Sequence, residues 1–408
     1  MSNRITRFYI DKFKSLSEFD LPMPESAENN FICLIGKNGA GKSTILQAID
    51  FVGQIFRGNI TAWLKSRNWK RTDILEKPTI RTININIAGI FDERLVEWKG
   101  TFNVINMNCT QELVQIDGKK AFIKNEKQFI FYTPEGEKNE VYDGIFEYEG
   151  SFLSIINSKR LEKYNVYTFV HFMENVFSFD TLNSKQLRAY SRTNDDYPNI
   201  GSGGEKLAGR FYNFSQDEKN IIVNIIKDFY PWLNDAQASI KKGGWIGMKF
   251  IEKDESAVKR QNTLTPENEP NLVKREITSQ HTCDGLLRLF AIVTELATND
   301  PFVVFDEIEN GFHPEIMEKL IQLFIKSKKQ ILITTHNPVL LNYIEDDIAK
   351  ESVVLVYKDE PFKSKAIRFF DIPEAKERLQ YLGAGEAFLD VNFDTLVDNI
   401  PSAEQDKL

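Results

Sequence analysis

The chain has 408 residues, 42% of them hydrophobic and 27% charged, with a net charge of −8. That length allows a large core with more than one domain or lobe, and no apolar run nears the roughly 18 residues that span a bilayer, so a membrane protein is excluded. The acidic balance confines any DNA or RNA contact to a local patch. Lys65-Ser66-Arg67-Asn68-Trp69-Lys70-Arg71 is the candidate patch, with a solvated helix face as its plainer reading.

The N-terminus, MSNRITRFYIDKFKSL, is interrupted by charges and does not read as a secretory signal. Its apolar residues Ile5, Phe8, Ile10 and Phe13 predict an edge strand or hairpin. The cysteines, Cys33, Cys109 and Cys283, lie far apart without a Cys-x-x-Cys pair. They point to a cytoplasmic protein with neither a disulfide framework nor a zinc site. Residues 31–35, FICLI, form the continuous apolar run of a strand buried on both faces. Gly36-Lys37-Asn38-Gly39-Ala40-Gly41-Lys42-Ser43-Thr44 follows directly, and then the helical pattern ILQAIDFVGQIF. Strand, glycine loop and helix are the context that the motif G-x-x-x-x-G-K-[ST] requires. Glycines let successive N–H groups turn inward around a phosphate at the positive end of a helix. Lys42 then reaches the β- and γ-phosphates, and the Ser43 hydroxyl is a ligand for Mg²⁺. These residues predict a site for ATP or GTP.

Residues 79–150 alternate in TININIAGIF, LVEWKGTFNVINM, ELVQIDG, KAFIKN and QFIFYT, which predicts an antiparallel meander. Residues 151–235 read as mostly helical. Within them NIGSGGEK, residues 199–206, opens the pattern LAGRFYNFSQDEKNIIVNIIKDFYPWL, which Pro231 ends. Residues 236–280 read as a hairpin with a polar loop around 254–271. No heptad stretch of several turns occurs, so long coiled-coil arms are excluded.

A second buried run, Phe302–Phe305, ends in Asp306-Glu307. An acid at the tip of a buried strand can hold Mg²⁺, and the adjacent Glu307 can act as general base on water. The strand QILITT, residues 330–335, runs into His336, which is placed to sense a γ-phosphate. The remaining residues predict a helix, two strands (VVLVY and AIRFF) and a helical tail. Glu345-Asp346-Asp347 read as a solvated helix end, and the GAGE segment at 383–386 as a helix-linking turn.

FVVFDEIENGFHP followed by ILITTHNP closely resembles the hydrolytic blocks of ABC-type ATPases related to RecF and the SMC proteins. More narrowly, these blocks and IDKFKSLSEFDL…ICLIGKNGAGKSTILQAI resemble compact ATPases of bacterial anti-phage systems (Septu, PARIS and retron-associated ATPases). The resemblance is strong over 5–50 and 280–340 and weak over most of 51–198. It implies an α/β fold: an ABC-type P-loop ATPase head with an antiparallel β-subdomain, an inserted helical lobe and no long coiled coil. Its parts would be 1–150, 151–280 and 281–408. In this family a signature opens the helix before the acid-tipped strand. NIGSGGEK lies too far upstream, because Gly204 precedes Asp306 by 102 residues (204 to 306). Cys283-Asp284-Gly285, with Arg288 one turn on, is similar to the family's S-D-G-x-x-R at the expected distance. Cys283 stands where the family usually has Ser, and a thiol is the weaker donor. Slow hydrolysis follows, unless Ser279 or Thr282 stands in. Gln54 and Gln186 are the candidates for a magnesium-binding glutamine.

The resemblance further implies a homodimer of heads that sandwiches two ATP and Mg²⁺. Its setting would be antiviral defence, as a sensor or scaffold that controls a separate effector such as a nuclease or toxin. A RecF-like DNA-binding repair ATPase and a hydrolysis-poor structural scaffold share the same residues. ATP turnover with and without DNA separates the three.

Overall fold

The computed structural model describes residues 3–180, 182–253, 274–391 and 400. By internal packing the chain divides into two units. The first is Met1–Ser178, Asp300–Glu309 and Leu320–Leu408; the second is Phe179–Asn299 and Asn310–Lys319.

The first unit is built on two sheets. One is antiparallel and eight-stranded, from β1 (Arg4–Asp11), β2 (Phe19–Leu21), β4 (Thr82–Phe91), β5 (Arg94–Asn103), β6 (Asn108–Ile116), β7 (Lys119–Lys124), β8 (Gln128–Tyr132) and β9 (Lys138–Asp143), in the order β2-β1-β4-β5-β6-β7-β8-β9. The alternating patterns of 79–150 account for β4 to β8. The sequence reading missed β9, whose KNEVYD holds one aliphatic residue among charges. β1 does form a hairpin with β2, but it is no edge, since β4 pairs on its other side.

The other sheet has six strands: β3 (Phe31–Ile35), β10 (Val176–Phe179), β15 (Phe302–Phe305), β16 (Gln330–Thr334), β17 (Val353–Glu360) and β18 (Lys363–Arg368), in the order β10-β15-β16-β3-β17-β18. β15, β16, β3 and β17 run parallel, and every residue of β3, β15 and β16 is buried. Continuous apolar runs are what such doubly covered strands need. β18 starts before AIRFF, at Lys363, and ends within it at Arg368, because Phe369–Asp371 leave the sheet in a 3-10 turn.

The helix after β3, α1 (Lys42–Arg57), joins the two sheets of this unit into one core. Phe51 packs edge-on against Phe102 at 5.2 Å, and Phe56 meets Trp98 at 4.9 Å, both on the antiparallel sheet. Leu34, Val354 and Val356 of the six-stranded sheet belong to the same apolar cluster as Ile45 and Ile49 of α1. Burying such side chains is worth about 1.5–3 kcal/mol each.

The second unit holds β11 (Ser191–Arg192), β12 (Leu233–Lys241), β13 (Trp245–Lys253) and β14 (Lys274–Thr278), with helices Leu207–Asn213, Gln216–Phe229 and Asp284–Leu296. The expected hairpin is β13 paired with β14; its loop, 254–273, lies outside the described residues. Segment 151–235 is less helical than its pattern suggests, because β10 and β12 fall within or overlap it. VFSF directly follows a helical run, and LNDAQASIK is poor in β-branched residues, so neither announces a strand. Ser215 splits the long helical pattern, its hydroxyl and Glu218 forming a reciprocal capping box. The GAGE segment is no mere turn: Gly383 caps a helix, Ala384–Asp390.

Candidate functional site

In the first unit, β3 delivers the chain into the loop Gly36–Thr44, and α1 carries it away. Gly36 has φ of 143°, and a Cβ there would lie 2.2 Å from the Val356 carbonyl oxygen of β17. Gly41 has φ of 116°, and a Cβ there would meet the Ser364 hydroxyl at 2.3 Å. Both positions therefore require glycine, for room as well as for backbone freedom. Ser364, fully buried on β18, donates to the Ala40 carbonyl (2.7 Å) and contacts the Ser15 hydroxyl (2.9 Å). No side chain caps the start of α1, and no acid stands in its first turn, so its positive end is left to the loop.

Lys42 is 5% exposed. Its amine donates to the carbonyls of Gly36 (2.7 Å) and Lys37 (3.3 Å) and lies 3.4 Å from His336 Nδ1. Burial pulls its pKa down, while Asp306, Glu309 and Glu307 push it back up. Three carboxylates that follow β15 thus act on one ammonium at the foot of α1.

Those tips are tied together by Thr334, which is fully buried. Its hydroxyl donates to Asp306 Oδ1 and accepts from the Glu307 amide at 2.8 Å. Glu307 sits in the left-handed region (φ 46°), where a non-glycine residue costs about 1–2 kcal/mol. Its carboxylate is half-exposed and lies 3.8 Å from His336 Nε2. Glu309 Oε1 accepts from the His336 amide at 2.6 Å. The structure thus gathers Lys42, Asp306, Glu307 and His336 in one unit. Ser15, Thr334, Glu309 and Ser364 complete it. No motif marks them; only Thr334, inside the run before His336, and Glu309, just after the paired acids, had a local signal.

Cys283, Asp284 and Gly285 belong to the second unit. Cys283 is exposed and precedes the helix Asp284–Leu296 without capping it by its side chain. Arg188 pairs with Asp284 and also donates to the Thr282 carbonyl (2.6 Å). Hydrogen bonds from Arg188 and Ser184 hold the Asp284 carboxyl below its ordinary range. A Cβ on Gly285 would stand 2.9 Å from the Tyr230 hydroxyl and 3.0 Å from the Gly311 carbonyl, so this helix start is packed too tightly for a larger residue. Ser279 and Thr282 are both buried, and the Thr282 hydroxyl is spent on the Thr278 carbonyl.

NIGSGGEK is a glycine turn before the helix Leu207–Asn213, with Gly201 and Gly204 at positive φ. The buried Glu295 accepts from the Ile200 amide at 2.8 Å, and Gln186 occupies the space a Gly203 side chain would need. Gln54 is engaged with Asp50 (3.1 Å) and Arg57 (3.4 Å) toward the far end of α1. The run Lys65–Arg71 is largely solvated, as its plainer reading has it: Lys65, Ser66, Asn68, Lys70 and Arg71 are exposed, and of its cations Arg67 alone turns inward, to pair with the buried Asp50 at 2.7 Å.

No helix among the described residues is long and apolar enough to cross a membrane. No curated protein matches the chain. Among solved structures, it is similar to the SmcHead bound to the C-winged helix domain of ScpA, at 15% identity and a TM-score of 0.50, over 89% of this chain and 96% of that one. An Smc head domain from Pyrococcus furiosus matches at 13% identity and a TM-score of 0.49, over 90% and 96%. The fold is therefore the mixed α/β fold of SMC-head ABC-type ATPase domains, with an antiparallel sheet. Residues 31–94 and 151–342, more than half of the chain, match the family described as "AAA domain, putative AbiEii toxin, Type IV TA system", and the chain belongs to that family of ATPases.

Proposed function

We propose that the chain binds ATP and Mg²⁺ at Gly36–Thr44 and hydrolyses ATP with Glu307 as the base. The observation that carries this is the gathering of Lys42, Asp306, Glu307 and His336 around a loop in which Gly36 and Gly41 have no room for a side chain. The residues fit the group: a desolvated ammonium and open helix N–H groups suit phosphate, and carboxylates stand where a cation would balance them. Ser43 and Asp306 would hold the ion, which when bound supplies charge neutralisation for the phosphates. Thr334 fixes Asp306 and the Glu307 backbone, leaving the half-exposed Glu307 carboxylate to take a proton from water. His336 reads the phosphate.

Cys283-Asp284-Gly285 of one copy faces the ATP of a second, giving a head-to-tail dimer. In that role the chain is a cytoplasmic sensor or scaffold in antiviral defence that holds a separately encoded effector, a nuclease or toxin, in check. The motif resemblance and the family's toxin–antitoxin description support this setting.

The test is Glu307→Gln with ATP and Mg²⁺, read by native mass and nucleotide retention. A stable dimer retaining ATP is expected; an assembly of unchanged mass and retention refutes the sandwich. Lys42→Ala should lose ATP binding, and normal binding in that variant overturns the loop assignment.

A further inference from the structure

We propose that the outer face of the eight-stranded sheet is a second ligand site, for a dinucleotide unit. Pleating sends alternate side chains of β1 and β4 to β7 to opposite faces. The inner face packs on α1. On the outer face, strand register sets Tyr9, Asn86, Lys99, Leu113 and Ile123 side by side across five strands. They line a cleft of about 580 Å³, within the range of small-molecule sites.

Three features of the cleft select the ligand. First, the chain carries a net charge of −8, yet Arg7, Lys99, Lys120 and Lys124 line this cleft against one acid, Glu112. Glu112 is buried and engaged by Trp98, Ser151 and Phe152. Arg7 pairs with Asp20, and Lys124 donates to the Thr110 and Asn125 carbonyls. Lys99 and Lys120 are exposed and make no ion pair or hydrogen bond among the described residues. These two are therefore open to phosphate. Second, Asn86 Oδ1 is buried without a hydrogen-bond partner. Such an acceptor costs about 1–3 kcal/mol unless a donor reaches it. An exocyclic amine or ring N–H of a base is a donor of that kind. Third, the Tyr9 ring, with Arg7 5.9 Å from its centroid, offers a surface on which a base stacks at one end of the cleft, and Leu113 and Ile123, three and four strands away, offer an apolar one at the other. A cleft of this size with few open cations suits a short ligand, either a free dinucleotide or two residues of a single strand.

The test uses the full chain, a fluorescein-labelled diadenylate and a labelled 12-mer of single-stranded DNA, read by anisotropy in excess unlabelled Mg²⁺-ATP. Expected is diadenylate binding that survives both the ATP and Lys42→Ala. It should weaken about tenfold or more in the surface variant Lys99→Glu/Lys120→Glu and about fivefold in Asn86→Ala. Its salt slope should be about −1.4, at roughly −0.7 for each of two phosphates contacted. Equal affinity for the two probes assigns the ligand to a free dinucleotide. Tighter 12-mer binding, lost in the same variants, assigns it to a strand. No diadenylate binding, loss of binding in Lys42→Ala, or indifference to Lys99→Glu/Lys120→Glu overturns the proposal.

Discussion

Thr334→Val isolates what holds the proposed base in place. Valine keeps the shape of threonine and removes only the hydroxyl. That hydroxyl is fully buried, so water cannot replace it, and it serves Asp306 and the Glu307 amide at once. A hydrogen bond to a charged group is worth about 1.5–3 kcal/mol, and an orphaned buried amide costs about 1–3 kcal/mol. Without this acceptor the left-handed Glu307 loses its main restraint and can relax, moving its carboxylate. If about 2–3 kcal/mol of that loss reaches the transition state, kcat falls about 30- to 150-fold. Thr334 makes no hydrogen bond to Lys42 or to the loop, so KM for ATP should shift less than about threefold. Steady-state phosphate release gives both constants, and Thr334→Ser, which restores the hydroxyl, should recover most of the rate. A Val variant within about twofold of the parent, or a Ser variant as slow as Val, refutes the reasoning.

Cys283→Ser supplies a hydroxyl cap to the helix Asp284–Leu296, worth about 1 kcal/mol, and should raise ATP turnover; an unchanged melting point and rate would count against both effects. Asp50→Ala removes the acceptor for Trp63 (2.6 Å) and Arg67 (2.7 Å) and takes from nearby Arg57 its paired carboxylate. Stability should fall by about 3–5 kcal/mol in urea unfolding, and a loss below about 1 kcal/mol would show that the network is dispensable. Burial pushes the Glu112 carboxyl up to about 7, against the pull of its Ser151, Phe152 and Trp98 hydrogen bonds. The folded chain then holds a proton that the unfolded chain releases near 4.5, so stability declines as pH rises from about 4.5 to 7 and levels off above. The span is on the order of 3 kcal/mol. Glu112→Gln should lack that decline, and parallel stability–pH curves for the two proteins would exclude Glu112 as its source.

The sequence revealed the parts of the molecule that are locally determined. Phe31–Ile35, Phe302–Phe305 and Gln330–Thr334 are buried on both faces, and only continuous apolar runs satisfy that environment. The loop, Asp306, Glu307 and His336 each sit at the end of such a run, which is why they could be singled out. What could not be read depends on partners far away in the chain. Ser364 supports Ala40 across more than three hundred residues, and nothing around Ser364 itself predicts that. Arg67 reads as a solvated cation because its partner, the buried Asp50, lies 17 residues upstream. β10 lacked a signal because three apolar residues and a serine after a helix read equally well as more helix.

The order of strands around β3 has a consequence for synthesis. β3 ends at Ile35, but its neighbours on either side, β16 and β17, begin at Gln330 and Val353. At roughly 5–20 residues per second a ribosome needs about 15–60 seconds to make the intervening chain. Throughout that time both edges of an entirely apolar strand lack their native partners, a situation that invites pairing with other nascent chains. The phosphate loop, which leans on Val356 and Ser364, is likewise among the last features to take shape. A cell making this protein must therefore shelter its first forty residues until nearly all the rest exist.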